Sequence, residues 1–423
     1  MHELAEKMNQ YIFPALSTYY EEPIVLEKGE GKYLYDDSGR QYLDFFGGIL
    51  TVSMGHCNPE ITSRVVEQVK TLQHTSTVYI IKPMVELAEQ IARMAPGKLQ
   101  KCFFLNSGTE ADETAVLLST IYTGNDEVVA LRHAYSGRSS LAMSLTGHAP
   151  WRQGRGLWSN VKHAHSPYCY RCSFGRTYPN CDLECAKDIE ELICTSTSGR
   201  IAAFIAEPIQ GVGGFITPPK EYFTEAVSII RKYDGLFIAD EVQTAWGRTG
   251  GKMFGIEHWG VEPDIMTFAK GLANGAPIGA VIATSDVADS WRGPSISTFG
   301  GNPVSMVAGQ ATLDQITKND IPAHVEKVGG RLREGLLGLQ EKHECIGDVR
   351  GMGLMQALEI VGENKVPAPD VVVRIFEKTK DLGLLIGKGG LYSNVIRLTP
   401  PMIVTESDVD EAVEILDKAF LSL

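Results

Sequence analysis

Leu236-Phe237-Ile238-Ala239-Asp240-Glu241-Val242-Gln243 decides how this chain is read. Four apolar residues run without alternation and end in a carboxylate. A strand with one wet face alternates polar and apolar residues, whereas an unbroken run marks a strand buried on both faces. The same signature recurs at 102–105, 128–131, 201–206, 265–268 and 279–283, with helical patterns between the runs. The spacing predicts an α/β architecture with a mostly parallel sheet wrapped by helices. In such sheets ligands bind beyond the carboxyl ends of the strands. The residues that follow each run are therefore the first candidates for chemistry.

Three strand ends stand out. The first reads Leu105-Asn106-Ser107-Gly108-Thr109-Glu110. Ser107 and Glu110 have capping-box spacing, and free helix N–H groups beside a glycine and two hydroxyls form a phosphate cradle. Glu110, Asp112 and Glu113 would repel a phosphate, so they are expected to point away from it. The second end is Asp240. A carboxylate leaving a buried strand needs a cation, and a protonated pyridine nitrogen is one. The third is Ala269-Lys270-Gly271, where desolvation would lower the amine's pKa and make it a nucleophile toward carbonyls. Taken singly, these are also an ordinary capped helix, a capped turn and a snorkelling lysine. Taken together they are the three handles of pyridoxal 5′-phosphate.

Farther out, Lys32–Tyr35 and Gln41–Phe46 read as strands around the turn Asp36-Asp37-Ser38-Gly39. Asn58-Pro59 opens a helix carrying Ile61, Val65, Val69 and Leu72, and another begins near Pro83. The last helix places Val409, Ala412, Val413, Leu416 and Phe420 on one stripe. Residues 145–185 fit neither period and are expected to form an inserted loop. This organisation predicts a large domain over 58–304 and a smaller α+β domain assembled from 1–57 and 305–423. The 423 residues include 39 Lys+Arg and 52 Asp+Glu, a net charge of −13 that disfavours a nucleic-acid partner. No apolar run approaches the roughly 18 residues of a membrane helix. The first residues lack a secretory pattern, so a cytoplasmic protein is expected.

In these motifs the chain resembles the class III (ω-amino acid type) aminotransferases of fold-type I pyridoxal-phosphate enzymes. Beyond the segments above, the resemblance rests on Glu207-Pro208-Ile209-Gln210-Gly211, Gly247-Arg248-Thr249-Gly250, Thr298-Phe299-Gly300-Gly301-Asn302-Pro303, Val349-Arg350-Gly351-Met352-Gly353 and Arg397-Leu398-Thr399-Pro400-Pro401. Thr75–Tyr79 and Gln210-Gly211-Val212 are most similar to the alanine–glyoxylate aminotransferase type 2 branch. The resemblance implies that Lys270 forms the Schiff base and shuttles a proton, while Asp240 pairs with the ring nitrogen. It implies that Val242 and Tyr135 cover the two ring faces and that Gln243 bonds the phenolic oxygen. Ser107, Gly108, Thr109 and Gly137 would hold the phosphate, and Glu207 would line the site. Thr298 would reach the phosphate of a neighbouring subunit, which implies a homodimer, or a tetramer built from it, with shared sites. Arg397 would bind the substrate carboxylate, and Phe46, Ile49, Tyr79 and Trp246 are expected as pocket walls.

Ornithine- and GABA-type relatives place a Glu five residues after the Glu-Pro-Ile-Gln glutamate, where this chain has Val212. Arg397 is therefore expected to stay open to a carboxylate, with pyruvate or glyoxylate as the acceptor and an amino acid or amine as the donor. The chain departs from the family at Asp112 (usually Asn), Ser136 (usually His) and Ala245-Trp246 (usually Gly-Phe). Dialkylglycine decarboxylase and ethanolamine-phosphate phospho-lyase share the class III motifs and are the alternative reading. Cys169, Cys172, Cys181 and Cys185 have the paired spacing of a zinc site, but free thiols or disulfides give the same spacing, and no metal ligand is assigned.

Overall fold

A computed structural model describes residues 3–153 and 157–423. Residues 1–2, where the reading for a secretory pattern begins, and 154–156, within the expected insertion, lie outside the described residues. The strands in chain order are β1 (Leu26–Glu30), β2 (Tyr33–Asp36), β3 (Gln41–Asp44), β4 (Leu99–Leu105), β5 (Val128–Leu131), β6 (Val161–Ala164), β7 (Ala203–Ala206) and β8 (Leu236–Asp240). They continue with β9 (Ile265–Phe268), β10 (Gly279–Thr284), β11 (Ile346–Met352), β12 (Met355–Ile360), β13 (Leu384–Leu385), β14 (Gly387–Gly389) and β15 (Val395–Leu398).

The seven-stranded sheet has the order β4-β10-β9-β8-β7-β5-β6. β6, β5, β7, β8 and β9 run parallel, and β10 is antiparallel to both of its neighbours. β5, β7, β8 and β9 are buried at every position, as their unbroken apolar runs require. β6 is the strand that the apolar runs do not signal. Val161-Lys162-His163-Ala164 lies at the sheet edge, where one side needs no partner and polar residues are tolerated. The 145–185 segment is thus part sheet edge and part loop.

Two four-stranded sheets complete the fold, in the orders β1-β2-β3-β13 and β11-β12-β15-β14. Leu43 and Asp44 pair in parallel with Leu384 and Leu385, which binds the N-terminal strands to the C-terminal part of the chain. The helix Glu406–Leu421 is closed by a capping box of Thr405 and Asp408, and Val409, Ala412, Leu416 and Phe420 of the predicted stripe are buried. The helix Pro59–Thr71 starts as expected, with Asn58 accepting from Glu60 N and Ile61 N. Its apolar stripe behaves differently, because Ile61 is buried while Val69 and Leu72 face outward. Among the described residues no helix is long and apolar enough to cross a membrane.

Candidate active site

The carboxyl ends of β4, β8 and β9 converge on a cavity of about 140 Å3. Gly108, Thr109, Asp112, Tyr135, Ser136, Gly137, Glu207, Asp240, Val242, Gln243, Ala269 and Lys270 line it. The helix Gly108–Thr123 begins at the end of β4 and sends its first turn into this space. Ser107 is its N-cap, accepting from Glu110 N at 3.3 Å, and is outside the cavity lining. The Glu110 carboxylate reaches back to Asn106 N at 2.6 Å, so the helix start is locked from both sides.

Close backbone approach explains the glycines. A Cβ on Gly137 would lie 2.1 Å from Thr109 Oγ1, and one on Gly108 would lie 3.3 Å from both methyls of Val242. Val242 therefore forms one wall of the cradle. Tyr135 donates its backbone N–H to Glu207 Oε1 at 3.2 Å, and its ring meets Trp151 edge-on at 5.5 Å. Glu207 Oε2 accepts from Gly211 N at 2.7 Å, so one carboxyl group fixes both Tyr135 and the turn after β7. Burial, reinforced by Asp240, pushes the Glu207 carboxyl up to about 8.

Lys270 has φ 40°, a left-handed conformation costly for a non-glycine residue and of the kind that gathers at active sites. Burial lowers the amine's pKa, and the nearby Asp240 and Glu207 oppose that shift. Asp240 Oδ1 accepts from Val242 N at 3.0 Å, and burial raises its pKa. The Gln243 amide oxygen is buried without a partner. A buried amine, a buried carboxylate, a glycine cradle that any Cβ would fill and an unsatisfied amide all fit pyridoxal 5′-phosphate.

Of the three acidic residues after the cradle, two point away from it as expected. Glu110 caps the helix, and Glu113 accepts from Ser139 Oγ. Asp112 does not: it is 1% exposed, lines the cavity and accepts from Thr267 Oγ1 at 2.8 Å.

Arg397 lies on β15 and is buried. Its guanidinium sits over the rings of Phe46 at 5.8 Å and Phe215 at 5.5 Å, and Nη1 donates to Gly211 O at 3.4 Å. Nε has no partner, and among the described residues no carboxylate forms an ion pair with this cation. Tyr19 is near enough to oppose the lowering of the Arg397 pKa by burial, and His148 is close enough for the Arg397 charge to help lower the imidazole's pKa, after burial and His133. Tyr19, Phe215, His148 and Trp151 carry no sequence motif, and only folding assembles them here.

The other expected wall residues lie elsewhere. Trp246 is 2% exposed and packs on Phe254 at 5.2 Å and Phe268 at 4.7 Å. Ile49, Tyr79 and Thr298 are exposed and outside the cavity lining. Arg248 of the Gly-Arg-Thr-Gly motif is a tie, donating to Leu354 O and Pro400 O at 3.1 and 2.6 Å.

Cys169, Cys172, Cys181 and Cys185 are free thiols around one small cavity. Burial pushes Cys169 up to about 11 and Cys185 up to about 12, which keeps both protonated at neutral pH. Among the described residues no three His, Cys, Asp or Glu side chains are grouped to hold a metal ion. The segment is anchored instead by Tyr168 and Arg171, both of which donate to Glu359 on β12.

The family model for class-III aminotransferases matches residues 16–420. The chain belongs to the class-III aminotransferases. It is 42% identical to alanine–glyoxylate aminotransferase 2 homolog 2, mitochondrial, of Arabidopsis thaliana, over 98% of this chain and 86% of that one. It is 39% identical to an acetylornithine aminotransferase of Caldanaerobacter subterraneus, over 95% of this chain and 96% of that one. The crystal structure of the ω-transaminase from Pseudomonas jessenii in complex with PMP superposes with a TM-score of 0.92 at 30% identity, covering 99% and 98% of the two chains. The chain is a fold-type I, pyridoxal-phosphate-dependent transaminase.

Proposed function

We propose that this transaminase moves an amino group from an amino acid or amine to a small 2-oxo acid, pyruvate or glyoxylate, with Arg397 holding the carboxylate. The unpaired state of Arg397 carries the reading. A buried guanidinium without a counter-ion is costly, and a carboxylate offers it two parallel charge-assisted bonds. Val212, where ornithine- and GABA-type relatives place an acid, leaves no internal competitor in the loop after β7.

Pyridoxal 5′-phosphate, when bound, acts as an electron sink that makes the substrate Cα proton acidic. The chain supplies the rest. Burial lowers the pKa of the Lys270 amine and so favours its neutral form, the form that would take up that proton and return it. Asp240 sets a buried negative charge behind the ring nitrogen. Thr109, Gly108, Gly137 and Ser107 form the phosphate end of the site. Val242 and Tyr135 would cover the ring faces and Gln243 would bond its phenolic oxygen, while Glu207 holds Tyr135 in place.

Tyr79, Thr298 and Ile49 are proposed to serve across a homodimer interface. Val78, Tyr79, Ile80 (92% exposed), Ile296 and Phe299 are large apolar side chains left exposed, and the Phe299 ring packs on His74 at 5.3 Å. Exposed apolar side chains of this size are what a partner surface would cover. The β3–β13 pairing supports a small domain built from 1–57 and 305–423 beside a large one over 58–304.

The test is to add L-alanine to the yellow protein without an acceptor, then to supply pyruvate or glyoxylate to the aminated form. Loss of the yellow colour with equimolar pyruvate release, and recovery with either acid, is expected. Slow turnover of the wild type with both acids would sink the acceptor assignment.

A further inference from the structure

The cavity contains a carboxyl group that the transamination chemistry does not call for. Asp112 extends from the helix Gly108–Thr123 into the cavity that Asp240 also lines, close enough for the two carboxyls to act on each other's ionisation. Asp240 pairs in register with Thr267 on β9, and Thr267 Oγ1 donates to Asp112 Oδ1 at 2.8 Å. Both acids are nearly sealed, at 1% and 4% exposure. Two carboxylates in contact in such a place cannot both be charged.

We propose that Asp112 and Asp240 share a single proton, carried by Asp112, and that Asp112 acts as a positioning residue whose O–H group orients the Asp240 carboxylate. The surroundings decide which partner is the acid. Asp240 receives the Val242 N–H and faces the Lys270 amine, and both favour its anion. Asp112 is more deeply buried and meets the Asp240 charge, which outweigh the hydroxyls of Thr267 and Ser136 that favour its anion, and Lys270 is only a minor neighbour. Glu207 is a third acid of the same cavity, and the Asp240 charge helps to raise its pKa. Burial and the Asp240 charge both drive the Asp112 pKa well above its ordinary range.

Protonated, Asp112 has the shape, neutrality and donor of an asparagine carboxamide. That explains how a chain of this family accepts Asp where Asn is usual without doubling the charge behind the ring nitrogen. The inference builds on the assignment of Asp240 to that nitrogen.

The experiment compares holoenzyme infrared spectra and cofactor retention on dilution for wild type, Asp112→Asn, Asp112→Leu and Asp240→Asn. At neutral pH the wild type is expected to show one protonated-carboxyl component that Asp112→Asn lacks, over the bands that Glu207 and Glu241 contribute to both. Asp112→Asn should retain the cofactor within about threefold of wild type. Asp112→Leu, isosteric but unable to donate, should release it at least tenfold more readily. Wild type should release cofactor at alkaline pH, where the shared proton leaves, and Asp112→Asn should not. Identical carboxyl bands in wild type and Asp112→Asn, or equal cofactor loss in Asp112→Asn and Asp112→Leu, would overturn the proposal. Normal retention in Asp240→Asn, with the band still lost in Asp112→Asn, would count against the Asp240 assignment while leaving the shared proton standing.

Discussion

Replacing Gly137 with alanine tests the phosphate cradle directly. The new Cβ would lie 2.1 Å from Thr109 Oγ1 and 2.7 Å from Thr109 Cβ, at a φ of +135° that disfavours any side chain. Ordinary contact begins near 3.4 Å, so the hydroxyl oxygen must retreat by about 1.3 Å. A hydrogen bond of about 2.9 Å does not survive such a shift along its axis. A bond to a charged acceptor contributes about 1.5–3 kcal/mol, which converts to a roughly ten- to hundredfold weaker cofactor Kd. The assay is titration of the apoenzyme with pyridoxal 5′-phosphate, followed by absorbance, with circular dichroism reporting the fold. Adding inorganic phosphate separates the two ends of the site, because it should compete less well in the variant. A folded Gly137→Ala protein whose cofactor Kd stays within twofold of wild type would refute the placement of the phosphate beside Thr109.

Arg397→Lys keeps the charge but loses the planar fork. KM for alanine and glyoxylate should rise roughly ten- to hundredfold, with donors that lack a carboxylate little affected; equal losses for both donor types would point to a structural role. Burial raises Glu207 to about 8 and Glu241 to about 7. The folded chain thus keeps protons that the unfolded chain has already released above pH 4.5, and stability should fall as pH climbs from about 4.5 to about 8. Thermal melts of the apoenzyme across that window check the sign. Gly330 meets nothing within 4 Å on the helix Ile321–Lys342, whereas a Cβ on Gly329 would come within 2.5 Å of the Gly353 backbone. Gly330→Ala should raise stability by about 1 kcal/mol, and Gly329→Ala should lower it; calorimetry of the pair would expose any error in that packing.

The handles for the cofactor were legible because each belongs to a short, continuous piece of chain. An apolar run that stops at Asp240 or just before Lys270 states both the strand and the site at its end. The cradle is legible for the same reason, since its glycine and its cap are neighbours in sequence. What surrounds Arg397 has no such continuity. Tyr19 comes from the N-terminal segment, His148 from the inserted stretch, Phe215 from the turn after β7, and each carries a bland local pattern. Trp246 shows the converse. A large ring three residues after the cavity-lining Gln243 reads as a wall of the pocket, but the space between Phe254 and Phe268 takes it into the core. Edge strand β6 escapes notice because an edge needs no apolar run.

Asp112 marks the boundary between these two kinds of information. A charged acid beside a phosphate-binding helix is unfavourable, and from sequence the Asp112 side chain is expected to turn away. The structure resolves the conflict by chemistry instead of direction. The side chain stays in the cavity and its charge is the thing that gives way, because burial and the Asp240 charge oppose ionisation more strongly than the Thr267 hydrogen bond favours it. Helix position alone cannot reveal this, since the partner that neutralises Asp112 sits 128 residues later on a different strand. Where two acids converge on a dry site, their protonation is therefore part of the fold, and which of them keeps the charge is set by the cation that acts more strongly on one of them.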